Sequence, residues 1–146
     1  METSLVAPLL LLALAITLGV AFKLLQGKGR RVSSAEIIEL EKLKATSNGL
    51  PAAEYGKKAT LVQFSTEYCG QCPGVKRTLA QLEYRMGGLG FVEVDITERL
   101  DVAAHFNINQ TPTIFLLNQK GQLIYRIGGI PKMDQLNNEL EKLGVK

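Results

Sequence analysis

The first 25 residues of the chain carry a continuous apolar pattern. Residues 5–22 hold no charge and consist mainly of Leu, Ala, Val and Ile. Lys23 can extend its ammonium toward water, so the apolar span can continue to Leu25. A helix over residues 5–25 would be about 31 Å long, which is enough to cross the hydrocarbon core of a bilayer. We predict that residues 5–25 form a retained transmembrane anchor and that residues 1–4 form a short tail.

A cleaved secretory signal is the alternative interpretation of this stretch. Glu2 stands in the region where such signals carry Lys or Arg, and no A-x-A cleavage site follows the apolar run. The run is also long for a signal peptide. The pattern therefore favours an anchor.

The pattern becomes polar and then amphipathic in residues 26–55. Ser33-Ser34-Ala35-Glu36 resembles a helix-capping box. Apolar residues then recur at three-residue spacing, at Ile37, Leu40 and Leu43, until Asn48-Gly49-Leu50-Pro51 ends the pattern. We predict a basic juxtamembrane segment followed by a short amphipathic helix that acts as a spacer, with a partner-binding helix as the alternative.

From residue 56 onward, strand-like and helix-like patterns alternate. Short apolar or alternating runs predict four strands, at residues 60–65, 91–96, 113–117 and 122–127. Runs with apolar residues three or four positions apart predict three helices, at about 70–86, 99–106 and 132–143. The order β-α-β-α-β-β-α predicts a single α/β domain over residues 56–146, with one mixed sheet and helices on both faces.

Charge changes this picture only next to the anchor. Four of the 17 basic residues follow the apolar span directly, at Lys23, Lys28, Arg30 and Arg31. The rest of the chain is close to neutral, so the net charge of +3 is no argument for nucleic-acid binding. The positive-inside rule predicts a single-pass protein of the bacterial cell membrane with its domain in the cytoplasm, and an extracytoplasmic domain is the alternative.

The only two cysteines, Cys69 and Cys72, form a C-x-x-C motif. They lie where the predicted strand at 60–65 gives way to the predicted helix at 70–86. The free N–H groups and the positive dipole end of a helix start stabilise a thiolate, which is the attacking species in disulfide exchange. The motif therefore predicts a redox-active pair.

Three other interpretations of the pair are weaker. A structural zinc site needs about four ligands, and the rest of the chain offers no cysteine and a single histidine, His105. A structural disulfide that closes so short a loop would constrain the unfolded chain little. A pair of inert buried thiols is the third alternative. We predict no metal site, and we interpret His105 as a surface or packed residue.

Several further features are in register with this motif. They are the strand Leu61-Val62-Gln63-Phe64 before Tyr68-Cys69-Gly70-Gln71-Cys72, the strand Phe91 to Ile96, Thr111-Pro112-Thr113 at the start of the third strand, and Gly128-Gly129 after the fourth. With these features, residues 56–143 resemble the thioredoxin superfamily, and the chain looks most like small membrane-tethered thioredoxin-like proteins of bacteria.

The resemblance implies a thiol–disulfide oxidoreductase in which Cys69 is the exposed nucleophile and Cys72 is the resolving thiol. Pro112 is expected to be a cis-proline beside the pair, with the backbone of Thr111 offered to an extended substrate. Further substrate-binding residues are implied at Tyr68, Gly70, Gln71 and Gly128. The dithiol is itself the redox group, so no cofactor is expected. The implied partners are disulfide-containing protein substrates and a protein that donates electrons, besides membrane lipid around residues 5–25.

Two departures from the family pattern bear on the mechanism. Tyr68 replaces the usual Trp, and Gly70-Gln71 replaces Gly-Pro, so the reduction potential cannot be transferred and we expect a reducing or intermediate value. Gln63 stands where thioredoxins commonly bury an aspartate that moves the proton of the resolving cysteine. Because Gln cannot take that proton, Glu93 on the neighbouring strand is a candidate proton shuttle. A merely solvated strand residue is the alternative for Glu93.

The sequence as a whole predicts a membrane-anchored oxidoreductase that reduces protein disulfides. Two other functions remain open at this point. A Cu(I) carrier could use Cys69 and Cys72 as ligands, although no Met or His cluster accompanies them. A scaffold in a membrane complex would use the domain for binding alone.

Overall fold

The structure, a computed structural model, describes residues 3–146. The first two residues of the predicted tail lie outside the described residues. Helix α1 spans Thr3–Leu25 and so contains the predicted apolar span. The segment Leu5–Leu25 is long and apolar enough to cross a membrane, and none of it is buried against the rest of the chain. A helix of this kind near the N-terminus is either a membrane span or a signal sequence.

One seven-stranded mixed sheet forms the centre of the molecule. Along the sheet the strands follow the order β1-β7-β6-β4-β5-β2-β3. The pair β4–β5 is parallel, and the other pairs are antiparallel. In chain order the strands are β1 Gly29–Arg31, β2 Thr46–Ser47, β3 Leu50–Pro51, β4 Ala59–Ser65, β5 Leu89–Asp95, β6 Thr113–Asn118 and β7 Leu123–Gly128.

Three helices besides α1 pack on the two faces of this sheet. They are α2 Cys72–Arg85, α3 Leu100–His105 and α4 Met133–Lys142. Helices α2 and α4 share one face, with Leu79 and Leu136 in the same apolar cluster. Helix α3 lies on the opposite face, where Val102 belongs to the second cluster. The predicted mixed sheet with helices on both faces, and the predicted element order from residue 59 to residue 142, are confirmed.

The alternation of side chains along each strand divides the core into two layers. Leu61, Phe91 and Leu116 face α2 and α4. Their neighbours Val62 and Phe115 face the other way, toward α3 and the segment 38–45. Every residue of β4 is buried, which explains why the sequence shows a nearly continuous apolar run there.

The prediction of a short amphipathic helix around Ile37, Leu40 and Leu43 was wrong. Residues 40–44 form turns, and β2 and β3 follow as a short hairpin closed by Asn48-Gly49. The proposed capping pair is used differently, because the Glu36 amide donates to Ser34 Oγ at 3.1 Å while the Glu36 carboxylate lies 2.8 Å from His105 Nε2. His105 is on the surface, in agreement with its predicted role.

The burial of individual residues explains why the three-residue spacing of Ile37, Leu40 and Leu43 does not correspond to a helix. Ile37 is exposed, whereas its neighbour Ile38 is buried together with Leu40, Leu43 and Ala45. These side chains cover the sheet face that carries Val62 and Phe115, so the segment contributes to the core and does not act as a spacer. The domain boundary at residue 56 stays a prediction, although β1, β2 and β3 belong to the same sheet as the later strands.

Candidate active site

The two cysteines form a disulfide at the start of α2. Their sulfurs are 2.12 Å apart and their Cα atoms 5.5 Å apart. Cys69 is half-buried, whereas Cys72 is only 4% exposed. Of the two sulfur atoms, the one on Cys69 therefore belongs to the residue that an incoming protein can reach.

The loop before α2 fixes the positions of both cysteines. The Cys69 amide donates to Thr66 O at 3.1 Å, and the Cys72 amide donates to Cys69 O at 3.3 Å. Helix α2 begins at Cys72, and Pro73 occupies its first turn, where the missing N–H removes no helical hydrogen bond. The positive end of the helix dipole therefore lies at the cysteine pair, where it favours a thiolate over a thiol.

Gln63 lies directly under Cys72. Its side chain is completely buried, and its Nε2 atom donates to Cys72 O at 3.0 Å. A backbone carbonyl can only accept, so the amide nitrogen must face it and Oε1 must point away. Among the described residues, Oε1 is buried without a hydrogen-bond partner. The site thus contains a buried polar oxygen at the position where the family commonly has a carboxylate.

Glu93 lies next to Gln63 on the adjacent strand. The two residues are in register across the parallel pair β4–β5, so their side chains point to the same face of the sheet. Glu93 Oε1 lies 3.2 Å from the Nζ atom of Lys76, which is four residues after Cys72 on α2. The Glu93 side chain is 22% exposed, so it lies at the edge of the buried region and is neither fully solvated nor enclosed.

A cis-proline segment closes the other side of the site. The Thr111–Pro112 peptide bond is cis, as the resemblance implies. The Gly129 amide donates to Pro112 O at 2.8 Å, and Thr111 Oγ1 lies 3.4 Å from Thr66 Oγ1 in the loop before the cysteines. These contacts connect the start of β6 to the cysteine loop on one side and to the end of β7 on the other.

Gly128 lies at the end of β7 beside the cis-proline segment. It pairs with Thr113 at the beginning of β6, and the next residue, Gly129, donates its amide to Pro112 O. These backbone contacts keep the end of β7 against the cis-proline segment. Of the sequence-predicted substrate-binding residues, Gly128 therefore lies beside Thr111 and Pro112 in the structure.

A groove of about 460 Å³ lies along the start of α2. Gly70 and Gln71, both predicted to bind substrate, line it, together with residues that the sequence reasoning missed: Pro73, Ile130, Pro131 and Met133. Ile130 is 54% exposed. Its only sequence signal is an apolar residue directly after Gly128-Gly129, outside any helical or strand pattern.

Tyr68 precedes Cys69 and is 84% exposed. A hydrogen bond with Glu67 raises the pKa of the Tyr68 phenol above its ordinary value of 10.0. The ring is therefore neutral at physiological pH and can present an aromatic surface to a partner without changing the charge at the site.

The chemistry follows from the difference between the two sulfurs. An incoming thiolate can open the ring, and the reduced pair can close again on an incoming disulfide, because one sulfur meets solvent and the other lies within reach of its neighbour. A protein of this construction is a thiol–disulfide oxidoreductase. The thioredoxin family model matches residues 50–142, which is more than half of the chain, and the chain therefore belongs to the thioredoxin family.

Individual relatives agree with this assignment. The chain is 31% identical over 104 residues to thioredoxin of Pongo abelii, covering 70% of this chain and 96% of that protein. It is 35% identical over 86 residues to thioredoxin H2 of Arabidopsis thaliana, covering 59% of this chain and 63% of that protein. The crystal structure of thioredoxin NaTrxh from Nicotiana alata is similar with a TM-score of 0.51 at 30% identity, covering 59% of this chain and 73% of that one.

Proposed function

We propose that this protein is a membrane-anchored reductase of protein disulfides, held in the bacterial cell membrane by α1. The observation that carries the proposal is the asymmetry of the pair: Cys69 is partly accessible at the helix start, and Cys72 is buried beneath it. In the two-step reduction of a disulfide, the exposed thiol reacts with the substrate first, and the buried thiol attacks only after the mixed disulfide has formed.

The proposed reaction has two steps. The Cys69 thiolate attacks one sulfur of the substrate disulfide, so that a mixed disulfide forms and the other substrate sulfur leaves as a thiolate. The Cys72 thiolate then attacks Cys69 Sγ, which releases the second substrate sulfur as a thiolate and closes the Cys69–Cys72 disulfide. Two electrons pass to the substrate, and an electron-donor protein must later reduce the ring.

Substrate binding is proposed at the cis-proline segment and the groove. Among the described residues, Thr111 makes no backbone–backbone hydrogen bond, so its backbone can pair with an extended peptide in the manner of an added strand. The exposed surfaces of Tyr68, Gly70 and Gln71 flank the accessible sulfur and would contact the same peptide.

Glu93 is proposed to receive the proton of Cys72 when that thiol becomes the attacking group. Gln63 cannot act as a base, and Glu93 is its neighbour across the strand pair. The buried Oε1 atom of Gln63 offers an acceptor for a water molecule between the two groups. Lys76 Nζ lies 3.2 Å from Glu93 Oε1 and fixes the position of that carboxylate beside Gln63.

The orientation is proposed from the charges next to the anchor. Lys23, Lys28, Arg30 and Arg31 follow the apolar span, so the positive-inside rule places the domain in the cytoplasm. Thiols are kept reduced in that compartment, which agrees with a reductase and with a soluble protein as the electron donor.

The reduction potential of the Cys69–Cys72 pair tests the direction of the reaction. The full chain in detergent micelles is equilibrated with glutathione or dithiothreitol buffers, and free thiols are then alkylated and counted. We expect a reducing or intermediate value, between about −270 mV, typical of thioredoxin, and about −180 mV, typical of protein disulfide isomerase. A value near about −120 mV, as in a strong oxidase, would contradict a reductase and would also speak against a cytoplasmic domain.

Trapping tests the order of attack. Cys72→Ser should accumulate mixed disulfides on Cys69 in cells, and these should disappear on addition of dithiothreitol. Cys69→Ser is the matched control and should trap far fewer partners, since the remaining thiol is buried. If Cys72→Ser captures no reducible adduct and the wild-type pair binds one Cu(I) without reducing insulin disulfides, the chain is a copper carrier instead.

A further inference from the structure

The end of the anchor is attached to the active-site edge of the sheet. The Gly27 amide donates to Gly128 O at 3.0 Å, and Gly129, the next residue, donates to Pro112 O at 2.8 Å. Neighbouring strands are about 4.8 Å apart, so the backbone of Gly27 lies about 10 Å from the cis-proline, two strand spacings away. The membrane-proximal end of the chain and the substrate-binding edge are therefore the same region of the molecule.

The contact at Gly27 is close and specific. Gly27 is buried and has a φ of +72°, and a Cβ atom there would lie 2.1 Å from Ile130 O. Both features require glycine. The backbone of Ile130 packs against Gly27 at the end of the anchor. The exposed side chain of Ile130 lines the groove beside Gly70. This single loop residue therefore contacts both the anchor end and the groove.

Three further contacts restrict movement of the domain relative to the anchor. Lys132 Nζ donates to Leu24 O at 3.1 Å. Strand β1 pairs with β7 from Gly29 onward, and Arg31 forms an ion pair with Glu139 of α4 at 3.0 Å.

The connection between α1 and β1 is also short. Only residues 26–28 separate the two elements, and an extended chain covers at most about 3.6 Å per residue. The cysteine edge of the domain therefore cannot turn away from the end of the anchor without losing β1.

We infer that the groove and the accessible sulfur are held at the surface of the bilayer, and that the substrate is a cysteine pair in a membrane-embedded partner, within a few residues of the partner's own transmembrane segment. This inference rests on the proposed anchoring and reductase activity. The groove accepts an extended juxtamembrane segment of that partner, with Ile130 and Tyr68 contacting its apolar side chains. Lys28 and Arg30 are exposed directly after the anchor, where basic side chains can bind anionic lipid headgroups.

The test uses the full chain in phosphatidylcholine vesicles. The chain is reduced, freed of reductant, and mixed in the membrane with a single-span peptide that carries a disulfide loop. In the near peptide the disulfide loop begins five residues from the membrane span. In the distant peptide, 25 Gly/Ser residues separate the loop from the span. This linker has a root-mean-square end-to-end distance of about 27 Å. Single-turnover reduction is followed by alkylation, and the same loop without a span serves as a soluble substrate.

We expect the near disulfide to be reduced at least about 10-fold faster than the distant one, because the fixed geometry gives it the higher effective concentration. Gly27→Ala should narrow this ratio to about threefold or less. Gly49→Ala is the matched control, since Gly49 also has a positive φ of +79° but open space around its Cβ position, and it should keep the wild-type ratio. A second variant, with 20 Gly/Ser residues inserted between Leu25 and Gln26, should also lose the preference.

The outcomes separate this inference from the proposed function. Equal rates for the near and distant disulfides, with the soluble loop reduced as well, would overturn the inference and leave the reductase intact. An unchanged preference in both the Gly27→Ala and the insertion variants would overturn it too, because the anchor contact would not set the geometry. If none of the three disulfides is reduced, the proposed reductase activity itself fails.

Discussion

The two faces of the sheet differ in what they bury. On the face covered by α2 and α4, here called the redox face, the apolar layer is interrupted by Gln63 and Glu93 next to Cys72. On the opposite face, the aromatic face, Phe64, Phe106 and Phe115 form a cluster with ring centroids 4.8 to 5.9 Å apart. Within residues 3–146, Gln63 Oε1 on the redox face is buried without a hydrogen-bond partner, whereas the aromatic face is filled with apolar side chains.

The redox face carries the chemistry of the protein, and the aromatic face contributes more of its stability. A buried polar atom without a partner costs about 1–3 kcal/mol, which a domain of marginal stability can tolerate only if other parts of the core offset it. The aromatic face supplies tightly packed apolar contacts, and it includes the segment 38–45 before the family-matched region. Substitutions on the aromatic face should therefore change mainly the free energy of unfolding, and substitutions on the redox face should also change the rate of disulfide exchange or the pH dependence of stability.

The largest effect is expected on the aromatic face. Phe115 is fully buried and contacts both Phe64 and Phe106, so Phe115→Ala should lower the free energy of unfolding by about 3–5 kcal/mol. Urea unfolding of the full chain in micelles measures this change. Tyr84→Ala, at a 93% exposed position, is the control and should change it by less than about 0.5 kcal/mol.

The rate of disulfide exchange should be unchanged in Phe115→Ala at a temperature where the variant is folded. A large fall in that rate, without unfolding, would show that the two faces are not independent.

The next effect is expected at Gln63. Gln63→Asp places a carboxyl group in a fully buried position, where burial disfavours the charged form, so the free energy of unfolding at pH 7 should fall by about 1–3 kcal/mol. Burial raises the pKa of the introduced carboxyl group in the folded state. The loss in the free energy of unfolding should therefore grow as the pH rises above about 3.9, the ordinary pKa of Asp in the unfolded chain. Urea unfolding at pH 4 and pH 8 measures the trend.

Gln63→Leu separates the carboxyl effect from loss of the contact to Cys72. It removes the bond to Cys72 O but also removes the unpaired oxygen, so a change of about 1 kcal/mol or less is expected, without a pH trend. Equal losses in the Asp and Leu variants at every pH would contradict the interpretation of Gln63 as the buried polar position of the redox face.

The central part of the fold could be predicted because its local patterns agree with its tertiary contacts. Strands β4 to β7 and helices α2 to α4 each carry an apolar period that matches the face they bury. The cysteine motif and the Thr111–Pro112 segment were also readable from the sequence, since each depends on residue types that few other structures require.

The segment before β4 could not be predicted in the same way. Ile38 and Leu40 are buried by alternation, but the three-residue spacing of Ile37, Leu40 and Leu43 imitates a helix. Strand β1 has only three residues, two of them Arg, so nothing in its composition indicates a strand. Its position depends on the open edge of β7 and on the ion pair to Glu139, which are contacts distant in sequence.

A smaller effect is expected at Glu93, on the redox face. Glu93→Gln should slow release of the mixed disulfide by about 10-fold at neutral pH if the carboxylate receives the Cys72 proton, with little change in stability. Stopped-flow measurement of the second step, after rapid formation of the mixed disulfide, checks this rate. Glu98→Gln, at an exposed position, is the control. Equal rates in the wild type and Glu93→Gln would contradict the proton transfer and leave Glu93 only as the ion-pair partner of Lys76.

The smallest effect is expected where α4 holds β1. Burial raises the pKa of Glu139, but hydrogen bonds and charges from Lys142 and Arg31 outweigh it and lower the pKa below its ordinary value of 4.5. A lowered folded-state pKa means that the ion pairs of Glu139 stabilise the protein fully above about pH 4.5. This stabilisation is lost as the pH falls through the lowered value.

Glu139→Gln should therefore be less stable than the wild type by about 1 kcal/mol or less at pH 7. The two proteins should become equally stable in strong acid, as urea unfolding at pH 7 and pH 3 can show. A difference that persists at pH 3 would mean that Glu139 acts through packing and not through its charge.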